Sequence, residues 1–334
     1  MQAKKALSRG LPAASASALF LGLTPIFGKL AITAGLPPLV VVAARTVGAA
    51  ALIFLVMLIA QPTGFYIYPV GLAGCLLAGA VNGTGSLLYY SALGRIDASL
   101  GQLLYSLYPL FVALLLYLDG YRYTRMTVIR LGLSLPAVVL LTNPSSTHVD
   151  MIGVMLMLGA GLLYAVHIPI NQRVLFEAPA PTVTFYTLLA MSAVVVPVAL
   201  VFDVGPVRVS TAALLPLLAL TLVTFLSRLS LFSGVKSIGG LDTALIGLGE
   251  IVVTLTLALL WLGERLTPTQ WIGALLLIVS ILLVALDKRR KRKPIVGGWL
   301  RWLVPPMMYE KQPKAPPPEA ATEESEHDRP PDPT

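Results

Sequence analysis

Residues 38–60 read PLVVVAARTVGAAALIFLVMLIA, and this stretch decides the fold because its 23 residues carry a single charge, Arg45. A helix of this length spans about 35 Å, enough to cross the roughly 30 Å hydrocarbon core of a bilayer. Similar apolar stretches recur along the chain. They lie near residues 14–34, 38–60, 69–92, 98–118, 127–142, 151–170, 181–202, 212–235, 242–263 and 270–287.

These stretches are continuously apolar, whereas the strands of a membrane β-barrel alternate between apolar and polar residues. Helices then remain as the structure that satisfies every backbone polar group inside lipid. The sequence therefore predicts an all-α membrane protein with ten transmembrane helices.

The composition excludes a soluble protein. Of 334 residues, 56% are hydrophobic and 12% are charged, whereas a soluble domain carries about 25% charged residues. The net charge of +8 comes mainly from Lys4, Lys5 and Arg9 and from the basic run at residues 288–293, which flank apolar stretches. We therefore expect these clusters to contact the lipid bilayer, and we expect no binding to nucleic acid.

Lys and Arg residues, counted loop by loop, predict the orientation in the cell inner membrane. With the N-terminus inside, three arginines lie in outer loops: Arg95, Arg208 and Arg265. The inner segments hold the larger basic set: Lys4, Lys5, Arg9, Arg122, Arg125, Arg173, Lys236 and the run at 288–293. Both termini are therefore predicted to be cytoplasmic, with residues 1–13 before the first helix. Residues 288–334 are expected to form a basic juxtamembrane segment and a Pro- and Glu-rich disordered tail.

Loop-level matches predict an internal duplication. Residues 91–96 (SALGRI) resemble residues 233–238 (SGVKSI), and residues 36–38 (LPP) resemble residues 178–180 (APA). The polar boundary at residues 143–148 separates repeats at 14–145 and 146–287. Each repeat holds five predicted helices, an odd number, so the two repeats are expected to insert with inverted orientations.

One longer motif carries a family resemblance. Residues 262–267 (LGERLT) end a predicted helix and are followed by residues 270–273 (QWIG). Together with Gly28-Lys29, Pro37-Pro38, Arg45 and Pro109, they resemble the EamA-type transporters of the drug/metabolite transporter superfamily. The chain departs from the family pattern at residues 119–122 (DGYR) and at Glu250-Ile251, which lacks the usual Pro. The resemblance implies ten helices around a central cavity and export or exchange of small metabolites.

Two cations lie inside the first two predicted spans. Lys29 is six residues before Gly35 and Arg45 is seven after Pro38, so both lie about 10 Å below the same surface. A charge at this depth costs several kcal/mol unless it faces a partner or a wet cavity. These cations predict a binding site for an anionic or carboxylate-bearing solute. The alternative is that both side chains reach back to the headgroups.

A second charged layer consists of Arg228 and Glu250. Arg228 lies eight residues before Lys236, and Glu250 lies eight after Asp242, so the two residues share a depth on neighbouring helices. They form either a buried ion pair or a site at which Glu250 couples transport to protons.

Further candidate solute-binding residues are Asn82, Gln102, Tyr105, Tyr108 and His167. Gln102, Tyr105 and Tyr108 follow each other at intervals of three, which places them on one helix face. Interhelical packing of the tyrosines, and an internal hydrogen bond for His167, are the alternatives. Because His167 has no His or Cys neighbour in its span and Cys75 is the single cysteine, we expect no metal and no cofactor.

The functional hypothesis is a secondary transporter, an exporter or exchanger of a small organic metabolite that is amino-acid-like or carries a carboxylate. A homodimer is left open. The first alternative is a membrane-embedded structural or regulatory partner protein without transport activity. An intramembrane enzyme is disfavoured, because the sequence has neither a nucleophile elbow nor a HEXXH helix, and it also has no nucleotide-binding loop.

The orientation is testable with reporter fusions along the chain. Fusions at both termini and at residues 121–125 should give a cytoplasmic signal, and fusions at residues 143–150 should give an external one. A cytoplasmic signal from residues 143–150 would contradict the inverted-repeat prediction.

Overall fold

The computed structural model describes residues 2–60, 62–108, 110–111, 114–115, 125–141, 149–175, 178–202, 210–238, 243, 246–247 and 249–286. Within these ranges the regular structure is helical, without strands. The α-helices are α1 (Gln2–Thr33), α2 (Pro38–Ala60), α3 (Pro69–Leu93), α4 (Ala98–Tyr105), α5 (Arg125–Leu141), α6 (Met151–Val174), α7 (Ala180–Phe202), α8 (Thr211–Ile238), α9 (Gly249–Leu257) and α10 (Pro268–Leu286). A 3₁₀ turn at Pro62–Phe65 precedes α3, and a π-helical segment at Ala258–Leu262 extends α9.

Most helices lie within the predicted spans, but α1 begins at Gln2, so residues 2–13, predicted to precede the first helix, are helical. Not all helices are long enough to cross a bilayer. In the described part of the chain, six are long and apolar enough: the Gly10–Thr33 part of α1, α2, α3, α6, α7 and the Thr211–Ser237 part of α8. Shorter apolar helical segments cover Gly132–Leu141, Gly249–Leu262 and Pro268–Ser280. The fourth predicted span, 98–118, is represented by α4, and Pro109 lies outside the described residues.

The surfaces of these helices expose large apolar side chains. Leu200, Phe202, Leu215 and Leu260 are each at least 69% exposed. In water such a surface would drive aggregation, whereas hydrocarbon solvates it. The exposed surface is therefore suited to lipid.

The packing of the helices repeats itself when helices α1–α5 are exchanged with α6–α10. Helix α1 packs on α8 and α9, and α6 packs correspondingly on α3 and α4. Helix α2 contacts α8, and its equivalent α7 contacts α3 in the same way. Two further contacts, α2 with α7 and α5 with α10, join helices that are equivalent to each other in the two halves. The two halves are therefore interlocked, and the interior lies where their helices meet.

Small residues permit this close packing. A Cβ added at Gly79 on α3 would lie 2.6 Å from the carbonyl oxygen of Thr187 on α7. A Cβ at Gly22 on α1 would lie 2.8 Å from the Glu250 carbonyl oxygen on α9, where Thr254 Oγ1 also donates a hydrogen bond of 2.8 Å to the Gly22 carbonyl. Glycine at these sites brings helix backbones together, as is common in membrane bundles.

Candidate functional site

A cavity lies at the junction of the two halves, which we call the central cavity. Helices α1, α2, α3, α4, α6, α8 and α9 all contribute to it. Its lining is unusually polar for the interior of an apolar bundle and contains Leu21, Thr24, Arg45, Asn82, Gly85, Ser86, Tyr89, Tyr90, Gln102, Tyr105, Ala160, Tyr164, Ser227, Arg228 and Glu250. Six of the residues predicted from the sequence meet here: Arg45, Asn82, Gln102, Tyr105, Arg228 and Glu250.

Arg45 is held in the cavity wall by α2 and is only 4% exposed. Its Nη1 donates a hydrogen bond of 3.2 Å to Thr224 Oγ1, and its Cζ lies 4.6 Å from the centre of the Tyr90 ring. The ring face partly compensates the buried charge by a cation–π interaction. Arg45 Nε has no hydrogen-bond partner within the described residues, so one donor of the guanidinium remains available.

Arg228, on α8, is the second buried guanidinium and is 6% exposed. With the Asn82 amide turned so that its oxygen faces Arg228, this oxygen accepts hydrogen bonds from Nη2 at 3.0 Å and Nη1 at 3.2 Å. The Arg228 Cζ lies 5.9 Å from the centre of the Tyr164 ring. Neutral groups thus hold the guanidinium in place without neutralising it.

Glu250 provides the carboxyl group of the cavity from the first turn of α9 and is 4% exposed. A helix N-terminus stabilises negative charge. The Gln102 side chain lies beside this carboxyl group, and Gln102 Nε2 has no hydrogen-bond partner within 3.5 Å among the described residues.

The predicted direct ion pair between Arg228 and Glu250 is not formed. Among the described residues, Arg228 and Glu250 do not approach to an N···O distance of 4.0 Å or less. Arg95 and Asp150 do, with 2.9 Å between Nη1 and Oδ2. Arg228 is instead engaged by Asn82, and Glu250 by Gln102 and the start of α9. The alternative prediction, that Glu250 couples transport to protons, stays a prediction.

The charges in the central cavity therefore do not balance. Among the described residues, two guanidinium groups, Arg45 and Arg228, and one carboxyl group, Glu250, line it. Buried charges are costly unless they are paired. The cavity as a whole thus carries an excess of positive charge and is suited to an anionic group.

Tyrosine rings form one wall of the cavity. The Tyr105 ring centre lies 5.0 Å from that of Tyr89 and 5.1 Å from that of Tyr164, and these distances are typical of packed aromatic pairs. The sequence analysis missed Tyr89, Tyr90 and Tyr164 as lining residues. Spacing could have found the first two, because they lie seven and eight residues after Asn82 on the same helix face.

Tyr108 and His167 line a second cavity that adjoins the first. Its lining consists of Leu21, Tyr108, Tyr164, His167, Ile168, Asn171, Leu175, Leu231, Phe232, Val235, Thr243 and Gly247. His167 Nδ1 lies 2.7 Å from the Tyr164 carbonyl oxygen, so the internal hydrogen bond considered for this residue is present.

Lys29 does not reach the central cavity. Its Nζ donates hydrogen bonds of 2.9 Å to the Leu93 carbonyl and 2.8 Å to the Ile96 carbonyl, at the C-terminal end of α3. Unsatisfied carbonyls at a helix end attract cations. The Lys29 side chain thus links α1 to the end of α3 through hydrogen bonds. It makes neither the solute contact nor the headgroup contact that its depth suggested.

The LGERLT motif has a structural explanation at the same end of the bundle. Gly263 adopts a φ of +68° and ends the helical segment, as glycine commonly does. Glu264 then accepts hydrogen bonds from the backbone N–H groups of Ala98 and Ser99, both at 2.8 Å, and from Ser99 Oγ at 2.6 Å. A carboxylate from the second half thereby caps α4 in the first half.

Thr267 and Gln270 begin α10 with a reciprocal cap. The Thr267 N–H donates to Gln270 Oε1 at 2.9 Å, and the Gln270 N–H donates to Thr267 Oγ1 at 3.3 Å, while Pro268 opens the helix. This is the capping-box arrangement with Pro at the first helical position. The motif thus fixes a turn and joins the two halves at this end.

Apolar outward surfaces, a duplicated helix arrangement and a charged interior cavity define a multi-pass helical membrane protein. The chain belongs to the EamA-like transporter family, whose model matches residues 8–143 and again residues 151–286. The two matches confirm the predicted family and agree with the internal duplication.

One relative agrees with this membership. The chain is 23% identical over 159 residues to the uncharacterized transporter YwfM of Bacillus subtilis (strain 168). That match takes in 46% of this chain and 52% of YwfM, so the chain spans about half the length of this curated relative. A solved crystal structure, described only as that of a protein, has a TM-score of 0.59 at 17% identity and covers 86% of this chain and 99% of its own. At that identity the likeness shows the fold alone.

The position of Lys29 leads to a prediction about stability. Lys29→Met should lower the melting temperature of the purified protein, because the Leu93 and Ile96 carbonyls lose their donor at a cost of about 1–3 kcal/mol each. Solute flux per folded molecule should stay within about twofold of the wild type, because the Nζ contacts backbone rather than the central cavity. Loss of flux at an unchanged melting temperature would contradict the assignment.

Proposed function

We propose that this protein is a secondary transporter that exports or exchanges a small, amino-acid-like metabolite bearing a carboxylate. The solute binds in the central cavity with its carboxylate between Arg45 and Arg228. The observation that carries this proposal is the burial of two guanidinium groups against one carboxyl group in a single cavity. A carboxylate ligand supplies the missing negative charge.

The chemistry of the donors supports a carboxylate in particular. Guanidinium groups present planar, paired N–H donors that match the two oxygens of a carboxylate. Arg45 Nε has no partner among the described residues, so it can donate to a bound carboxylate. An ammonium group on the same solute would lie against Glu250, which gives the cavity complementary positions for both charged groups of an amino acid.

Passage of the solute requires the helices to move. The central cavity has room for a few water-sized molecules in this conformation, so an organic solute enters as the two halves separate on one side and then on the other. The Glu264–Ser99 contact joins the two halves at one end of the bundle and would open in that cycle. Rocking of one repeat against the other is the usual mode of such transporters.

The proposal includes the full predicted topology in the cell inner membrane. Ten transmembrane helices form two inverted repeats, and both termini are cytoplasmic. Under this orientation the end that carries Glu264 and Asp150 faces outward. There Arg95 donates a hydrogen bond to the Asp150 carboxylate, which lowers the pKa of Asp150 below its usual value.

Charge-dependent recognition is testable with matched pairs of ligands. Isothermal calorimetry on the purified full chain should show saturable binding of one or more 2-amino acids and none of the corresponding primary amides. Arg45→Lys and Arg228→Lys should each weaken that binding about tenfold or more, because a charge-assisted hydrogen bond contributes about 1.5–3 kcal/mol. The bound amino acid should also drive counterflow in proteoliposomes.

Arg95→Lys is the control for these variants, since Arg95 is an exposed arginine outside the cavity. It should bind like the wild type. Equal binding of acids and amides, or full affinity in both cavity variants, would rule out carboxylate recognition by these guanidinium groups.

A further inference from the structure

The second cavity differs chemically from the central cavity. Among the residues that the structure describes, no charged side chain lines it. Most of its wall is apolar, contributed by Leu21, Ile168, Leu175, Leu231, Phe232 and Val235. Because transfer of a charged group into such surroundings is costly, this cavity does not suit the carboxylate that the central cavity attracts.

Two unpartnered polar atoms belong to side chains of the second cavity. His167 is fully buried, and if its Nδ1 donates to the Tyr164 carbonyl, its Nε2 is left as an acceptor. Asn171 is 1% exposed, and its Oδ1 accepts a hydrogen bond of 3.3 Å from Thr187 Oγ1. Neither His167 Nε2 nor Asn171 Nδ2 has a hydrogen-bond partner among the described residues. Buried polar atoms are normally paired, so this pair indicates a place for a ligand group.

The two cavities are separated by a thin wall. Leu21 and Tyr164 line both of them. The Tyr164 ring centre lies 4.6 Å from that of His167 on one side and 5.1 Å from that of Tyr105 on the other. In this conformation the second cavity has room for about one water-sized molecule. A solute held by the guanidinium groups therefore extends past Tyr164 into it only when this side chain and the surrounding helices move.

We propose that the second cavity is the specificity subsite of the transporter and takes an uncharged, mainly apolar group of the solute. This inference rests on the proposed function, because it assumes that the carboxylate binds in the central cavity. The substrate class is then a carboxylate with a bulky hydrophobic side group, which can carry one hydrogen-bonding function for His167 or Asn171. Small or multiply charged carboxylates are excluded as preferred substrates.

Two glycines of the α9 region provide a matched pair of variants. A Cβ added at Gly247 lies 3.7 Å from Tyr108 Oη, so Gly247→Ala places a methyl group in the second cavity without a clash. A Cβ added at Gly249 lies 3.6 Å from Ala18 Cβ, and Gly249 lines neither cavity. Both substitutions add one methyl group, and only the one at Gly247 reaches a cavity.

The test is calorimetric binding of glycine, 2-aminobutanoate, norleucine and phenylalanine to the wild type and to both variants. The wild type should bind the larger side groups more tightly. Gly247→Ala should weaken the binding of the largest amino acid that binds by about tenfold, because one methyl group in an apolar pocket has an effect of this order. The affinity for the smallest amino acid that binds should stay within about twofold of the wild type. Gly249→Ala should match the wild type throughout.

A cavity-enlarging variant provides an independent check. Val235→Ala removes two methyl groups from the wall of the second cavity and should shift the preference toward larger side groups. Equal affinity for all four amino acids in the wild type, or a uniform effect of Gly247→Ala on all of them, would overturn the subsite. Failure of the proposed function gives a different result: no amino acid then binds in a manner that Arg45→Lys weakens.

Discussion

A guanidinium group buried in a membrane-spanning bundle must have its charge compensated inside the protein, because hydrocarbon offers neither water nor counterions. Arg45 and Arg228 meet this constraint in part, through Thr224, Asn82 and the rings of Tyr90 and Tyr164. These partners are neutral. The residual positive charge is what makes the central cavity a candidate anion site, and the polar and aromatic lining around it serves to hold the guanidinium groups in place.

The helix arrangement keeps this charged interior between the two halves of the chain. Helices of one half pack mainly against helices of the other, so the cavity wall is drawn from both. At one end, Glu264 from the second half caps α4 of the first, and Lys29 joins α1 to the end of α3. These contacts satisfy helix termini and hold the bundle closed at that end. In the proposed cycle the Glu264 contacts, which join the two halves, are the interactions that separate when the cavity opens there.

The sequence predicted the helices and part of the cavity for a physical reason: long apolar runs demand helices, and polar residues within them demand an interior. Depth along a helix follows from residue counts, and the predicted depth of Arg45 agrees with its place in the lining of the central cavity. Depth does not reveal which neighbour a flexible side chain meets. Lys29 accordingly bonds backbone carbonyls, and Glu250 lies apart from Arg228. Those outcomes depend on helix rotation and on how α1 packs against α3, α8 and α9, which single residues do not encode locally.

The central claim, that the cavity carries excess positive charge and is reached from outside the bundle, can be measured through a single introduced cysteine. Ser86 lines the cavity and is 6% exposed, and Cys75 is the native cysteine to be replaced by Ala. In Cys75→Ala/Ser86→Cys, an anionic methanethiosulfonate should react faster than a cationic one of similar size, relative to their rates with a free thiol. Arg45→Gln should reduce that preference. Faster reaction of the cationic reagent, or no reaction with either, would contradict the account.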